Sequence, residues 1–184
     1  IGGFFCFFKN VYYKREGKGG EFCLKKEVQL ELHKEVFKGN VLDIGIHNNG
    51  IIYNMCKHFN KDLEVEYISG KEEEKNIKDE FYDSCILFFT LNNICFNLNK
   101  RNLFKKIYNY LNEGGCLYIW DIDKGYNRVF NSNIKILLPN AEVKNINLKD
   151  LNMFHDNSKE TMLKLLEEYF NLIDLEEKEG VYYI

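Results

Sequence analysis

The sequence predicts an α/β protein whose largely parallel sheet ends in an antiparallel hairpin. Two observations carry that expectation. Short apolar runs of strand type alternate along the chain with stretches whose apolar residues recur at helical spacing, the pattern of helices laid on a parallel sheet. After the last helical stretch, two strand-like segments stand close together in sequence, near enough to pair as a hairpin.

Leu24 to Phe37 reads as an amphipathic helix, because Leu24, Val28, Leu32 and Val36 recur every four residues among Lys and Glu, and Gly39-Asn40 stops it. Val41-Leu42-Asp43-Ile44-Gly45 is a strand-type run, followed by the punctuated His47-Asn48-Asn49-Gly50. A second helix puts Ile51, Ile52, Met55, Cys56 and Phe59 on one stripe. Leu63 to Ile68 alternates as a strand does, while the charged Lys71–Glu80 reads as loop. Ser84 to Thr90 is a nearly continuous apolar run, expected of a strand covered on both faces. Arg101 to Leu111 is helical, with Leu103, Phe104, Ile107 and Leu111 inward; Asn112-Glu113-Gly114-Gly115 then turns the chain into a buried strand, Cys116–Trp120, ending at Asp121. Lys124 to Asn157 holds strand-like pieces at Ile134–Leu138 and Val143–Leu148. Ser158 is a good N-cap for a helix to about Tyr169, and Leu172–Leu175 and Val181–Ile184 close the chain, joined by Glu176–Gly180.

The length, 184 residues, suits one domain over 24–184 behind an N-terminal extension at 1–23. With 25 basic and 28 acidic side chains the formal charge is −3, which argues against a module that binds nucleic acid by neutralising phosphates. The apolar patch Ile1–Phe8 is too short to span a bilayer or to form a whole signal peptide, so no membrane partner is expected. Six cysteines without a CxxC pair point away from a disulfide framework or a metal site and towards a reducing cytoplasm.

In such a sheet a ligand sits outside the carboxyl ends of the strands, where the strand order reverses. The first strand-type run ends there in Asp43-Ile44-Gly45, and this resembles the first motif of class I S-adenosylmethionine (SAM)-dependent methyltransferases, hydrophobic-hydrophobic-Asp-x-Gly-x-Gly-x-Gly. Phe81-Tyr82-Asp83-Ser84-Cys85-Ile86-Leu87-Phe88 resembles that family's fourth strand, Leu91-Asn92-Asn93-Ile94 its following segment, and Leu111 to Asp121 its helix–Gly-Gly–strand-five segment. The terminal helix and hairpin match its last elements, so the resemblance spans about Leu24 to Ile184. It implies a Rossmann-like three-layer sandwich, SAM as cofactor and methyl transfer to a small-molecule acceptor. Carried over residue by residue, it places the cofactor at Asp43, Gly45, Ile46, His47, Gly50 and Thr90.

Two departures from the family pattern stand out. His47 and Asn49 replace the second and third motif glycines, so the turn is read either as a permissive loop that still binds SAM or as one that has lost its ligand. Between the first strand and Asp83, one βα unit is missing: only Leu63–Ile68 qualifies as a strand there, and a further unit needs about 30 residues. A right-handed crossover through one helix places this strand beside the first, with Glu66 or Glu72 nearest the ribose. The same segment also resembles the family's third strand, with Lys71 in place of an Asp, and both glutamates also read as a solvated edge. Where the acceptor must lose a proton, His155 and Asp121 are the candidate bases, and Lys124–Asn157, with Tyr126, Phe130, Met153 and Phe154, is the expected acceptor side. Against the enzyme stands a catalytically silent domain of the same fold, binding a ligand or a protein. A nicotinamide dinucleotide enzyme is a third reading, for which only Gly45 and Gly50 are available.

Overall fold

The computed structural model describes residues 26–32, 37–45, 50–59, 63–69 and 77–184. Its main sheet has six strands in the order β3–β2–β4–β5–β9–β8: β2 (Asn40–Ile44), β3 (Glu64–Ile68), β4 (Tyr82–Phe88), β5 (Leu111–Ile122), β8 (Glu176–Lys178) and β9 (Val181–Tyr183). β3, β2, β4 and β5 are mutually parallel, and β9 and β8 are antiparallel, as expected of the chain end. The hairpin is tighter than expected. Leu172–Leu175 is not a strand, and Glu179-Gly180 turns the chain with φ of 56° and 80°. Both central residues then have positive φ, a feature of the two-residue turns that match strand twist.

Among the described residues the α-helices are α1 (Ile51–Phe59), α2 (Asn97–Tyr110) and α3 (Lys159–Leu166). One face of the sheet packs on α2 and α3 through Cys85, Leu87, Phe104, Ile107, Ile119, Met162 and Leu166. The other packs on α1 and, unexpectedly, on a second sheet. That sheet is β1 (Lys26–Glu31), β6 (Phe130–Leu137) and β7 (Val143–Asp150), with β1 parallel to β6 and β6 antiparallel to β7.

β1 corrects the expected helix over Leu24–Phe37, of which residues 24–25 and 33–36 lie outside the described residues. A period of four and a period of two both put Val28 and Leu32 on one side. Leu30 separates them, and it is fully buried together with Val28. β1 survives as a strand because β6, a hundred residues on, pairs with it along its whole length.

The amino end of the sheet is stapled by Asp83. Its carboxylate accepts the Asn40 N–H at 2.8 Å and the Asn112 amide at 3.0 Å, tying β2 and β5 to β4. Gly39 makes room for this carboxylate: it has φ 65°, and a Cβ there would lie 2.0 Å from Asp83 Oδ2. β3 pairs with the outer edge of β2, so the chain leaves β2 in one direction and returns to its other side in β4. The strand order therefore reverses between β2 and β4.

Candidate functional site

At this reversal the sheet's carboxyl edge carries Asp43, the fourth residue of β2, with no exposed surface. Its Oδ2 accepts the backbone N–H of Tyr53, in the first turn of α1, at 2.9 Å, while Oδ1 has no hydrogen-bond partner among the described residues. A helix start supplies unpaired N–H groups and a positive dipole end, so a carboxylate there helps fix α1 against β2. Burial nevertheless dominates and pushes the carboxyl up from 3.8 to about 7, with the Tyr53 N–H opposing. A buried carboxylate oxygen left without a partner is costly in a plain structural role and suits a site that receives a donor.

Gly45 continues β2's ladder by donating to the Ile68 carbonyl, and its own carbonyl accepts the Tyr67 hydroxyl at 3.3 Å. Gly50 has φ 59°, and a Cβ there would meet the Tyr67 ring at 3.5 Å. Tyr67 therefore closes this corner from β3, with its ring 6.0 Å from that of Tyr53. Tyr67 is not among the residues expected at the site, although the alternation of Leu63–Ile68 carries the signal for its facing. Val65 packs in the α1-side core, so Tyr67 shares that face and Glu66 points to the other.

On that other face, Glu66 accepts the hydroxyl of buried Tyr82 at 2.5 Å. The structure thus does not bring Glu66 together with Asp43. Ile46, His47 and Glu72 lie outside the described residues.

Thr90 forms the opposite wall of the edge. It is buried, and its hydroxyl donates to the Ile44 carbonyl at 2.7 Å, joining the exit of β4 to the exit of β2. The preceding Phe89 is held at φ 52°, a conformation that costs a bulky residue roughly 1–3 kcal/mol. Three hydrogen bonds hold it there: its N–H to the Trp120 carbonyl, and its own carbonyl from the Asn92 and Asn93 amides.

Asp121, at the exit of β5, is fully buried and acts on this turn. Its Oδ2 accepts the N–H groups of Leu91 and Asn92 at 2.7 and 3.2 Å, and its Oδ1 accepts from Ile122, Asn92 and Asn157. Burial raises its carboxyl above the usual range against those hydrogen bonds and the nearby Lys100 cation. Lys100 is itself fully buried, donates to Asp156 O and Asn157 Oδ1 at 2.8 Å each, and is lowered by burial to about 8.

His155 is buried as well. Its Nδ1 lies 2.6 Å from Asp150 Oδ2 and its Nε2 lies 3.1 Å from the Ile94 carbonyl, while buried Lys124 donates to the Asn152 and His155 carbonyls. These contacts hold the 150–157 segment against β5 and the start of α2. Tyr126, Met153 and Phe154 remain exposed around it, whereas Phe130 is buried in the core. Asp43, Gly45, Gly50 and Thr90 thus share one edge, with Asp121 behind the adjoining turn and His155 further out along it.

The four described cysteines, Cys56, Cys85, Cys95 and Cys116, are free, and no group of metal-ligating side chains occurs among the described residues. No helix among them is long and apolar enough to cross a membrane.

No protein-family model and no curated protein matches the chain. Solved structures do. The PH0226 protein from Pyrococcus horikoshii OT3 is similar at 15% identity and a TM-score of 0.50, over 80% of this chain and 81% of that one. An S-adenosylmethionine-dependent methyltransferase from Mesorhizobium loti gives 11% and 0.49 over 77% and 78%. One from Clostridium acetobutylicum ATCC 824 gives 15% and 0.49 over 79% and 82%. At 15% identity the likeness to the Pyrococcus horikoshii protein is one of fold, and with its largely parallel sheet between helices the chain has a Rossmann-like α/β architecture, in the class expected from its sequence.

Proposed function

We propose that the chain binds SAM at the carboxyl edge between β2 and β4 and transfers its methyl group to a small-molecule acceptor. One observation carries the reading: Asp43, in the motif position, is buried at the start of α1 with a carboxylate oxygen that no described residue uses. The residues present fit the cofactor. Gly45, Gly50 and Thr90 form the walls of the same edge, and Ile46 and His47 belong to the segment that joins them.

When bound, SAM supplies an activated methyl on a sulfonium, which needs little acid–base help; the chain's part is to align the acceptor and exclude water. Asp43 receives a donor at its free oxygen, and Thr90 holds the exits of β2 and β4 together. The strained turn at Phe89 is fixed from behind by Asp121 and Asn92. Glu66 takes the ribose hydroxyls in this reading only by leaving Tyr82, and Glu72 is its alternative. His155 and Asp121 serve as bases only by giving up their present partners. A transfer governed by alignment is therefore the form of the reaction we favour, with the acceptor entering along Lys124–Asn157.

Calorimetric titration with SAM and S-adenosylhomocysteine tests the reading. Binding that Asp43→Ala weakens at least about tenfold is expected. Absence of binding at millimolar ligand sinks it and leaves the silent-domain alternative. Unchanged affinity in Glu66→Ala removes Glu66 from the ribose role and leaves Glu72 to be tested in the same way.

A further inference from the structure

A cleft of about 1270 Å3 opens at the other end of the sheet, remote from Asp43 and Thr90, between the amino ends of β4 and β5, the last turns of α2 and α3, and the segment after α3. Its size exceeds the roughly 300–1,000 Å3 of small-molecule pockets. Aromatic and aliphatic side chains form part of its wall, among them Tyr108, Leu163, Tyr169 and Phe170. The Tyr108 ring lies 6.0 Å from that of Phe170, and beyond it Leu172 and Ile173 are 55% and 84% exposed. Apolar side chains presented together in this way mark a surface that another molecule covers.

Among the described residues the charge on the rim is of one sign: Asp79, Glu80, Glu113, Glu167 and Asp174 line the cleft, and no described Lys, Arg or His does. Among the described residues none of the five makes an ion pair, while two nearby cations are engaged elsewhere: Arg101 on Glu168, and Lys78 over the Phe81 ring. An apolar floor beside five described acidic side chains is complementary to one kind of segment, with apolar residues on one side and Lys or Arg on the other. We propose that this cleft docks a cationic amphipathic segment of a partner protein. The proposal does not depend on methyl transfer, because no described residue of the carboxyl edge lines the cleft.

The probe is a labelled leucine–lysine peptide of about 14 residues with leucines at helical spacing, read by fluorescence anisotropy on the full chain beside its counterpart with Glu for every Lys. The expected result is micromolar binding of the cationic peptide alone, lost progressively as salt rises from about 50 to about 300 mM. Its Kd should rise at least about tenfold in Glu113→Lys/Asp174→Lys and, separately, in Ile173→Ser. All three positions are exposed, and far-UV circular dichroism checks that each variant keeps its fold. The proposal is overturned if the cationic peptide does not bind the wild-type chain, if both peptides bind equally, or if the folded variants bind like wild type. It is also overturned if sedimentation shows that Ile173→Ser dissociates a dimer, since the occupant is then a second copy.

Discussion

Asp43 shows how a single position links stability to function. Its folded-state carboxyl is raised to about 7 by burial, so the folded chain keeps a proton that the unfolded chain releases near its ordinary 3.8. Stability from this group therefore falls as pH climbs from about 4 to about 7 and is level above that. Asp43→Asn keeps an acceptor for the Tyr53 N–H and removes the charge. At a pH of about 8 the variant should be more stable, on the order of 2 kcal/mol, and its melting temperature should lose the slope between those values. A series of thermal melts against pH checks both. The same substitution should weaken S-adenosylhomocysteine binding, as expected where burial strain is retained for a ligand. Gly39 makes a purely structural counterpart. Its positive φ and the 2.0 Å approach to Asp83 predict that Gly39→Ala costs roughly 2 kcal/mol or more in urea denaturation. His155 was legible as a polar group just before the last helix and Asp121 as one at a strand end, but the burial of neither was. Each is enclosed by partners from segments thirty or more residues away, Ile94 for one and Leu91 for the other.

β1 shows where local pattern stops being informative. Leu24, Val28, Leu32 and Val36 satisfy a helical repeat, yet Val28 and Leu30 are both buried, which fits the two-residue period of a strand and not a helix with one buried stripe. The missing information is the existence of β6 as a template, which no window around residue 28 contains. Leu30→Ala should cost about 2–4 kcal/mol in chemical denaturation, the range for truncating a fully buried aliphatic residue. A cost below about 0.5 kcal/mol would place β1 outside the cooperative core. The parallel strands were easier to read. Val41–Ile44 and Ser84–Phe88 are buried on both faces, so their runs are nearly continuous and identify themselves. β3 lies between these cases. Its strand character and its place beside β2 follow from the sequence, and so does the alternation that puts Glu66 on the face opposite Tyr67, while the Tyr82 hydroxyl that meets it there comes from β4.

Over the whole molecule, the two sheets share one apolar cluster. Val28, Leu30 and Ile134 of the small sheet pack with Val41, Ile86 and Trp120 of the large one. The small sheet should therefore not unfold first. Fluorescence of Trp120, the single tryptophan, and far-UV circular dichroism should give coincident urea transitions, and separated midpoints would show two cooperative units. Sequence by itself determined the α/β class, the parallel strands, the antiparallel last strand and the Asp43–Gly45 edge, because each follows from a short apolar run and the turn chemistry beside it, whereas the polar β8 (Glu176–Lys178) carried no such run. Tertiary structure alone decided that Lys26–Glu31 is a strand, that Asp121 and His155 are enclosed, that Glu66 turns away from Asp43, and that an acidic cleft opens at the opposite end. These are outcomes of pairing and burial between residues far apart in the chain, and local periodicity carries no record of such contacts.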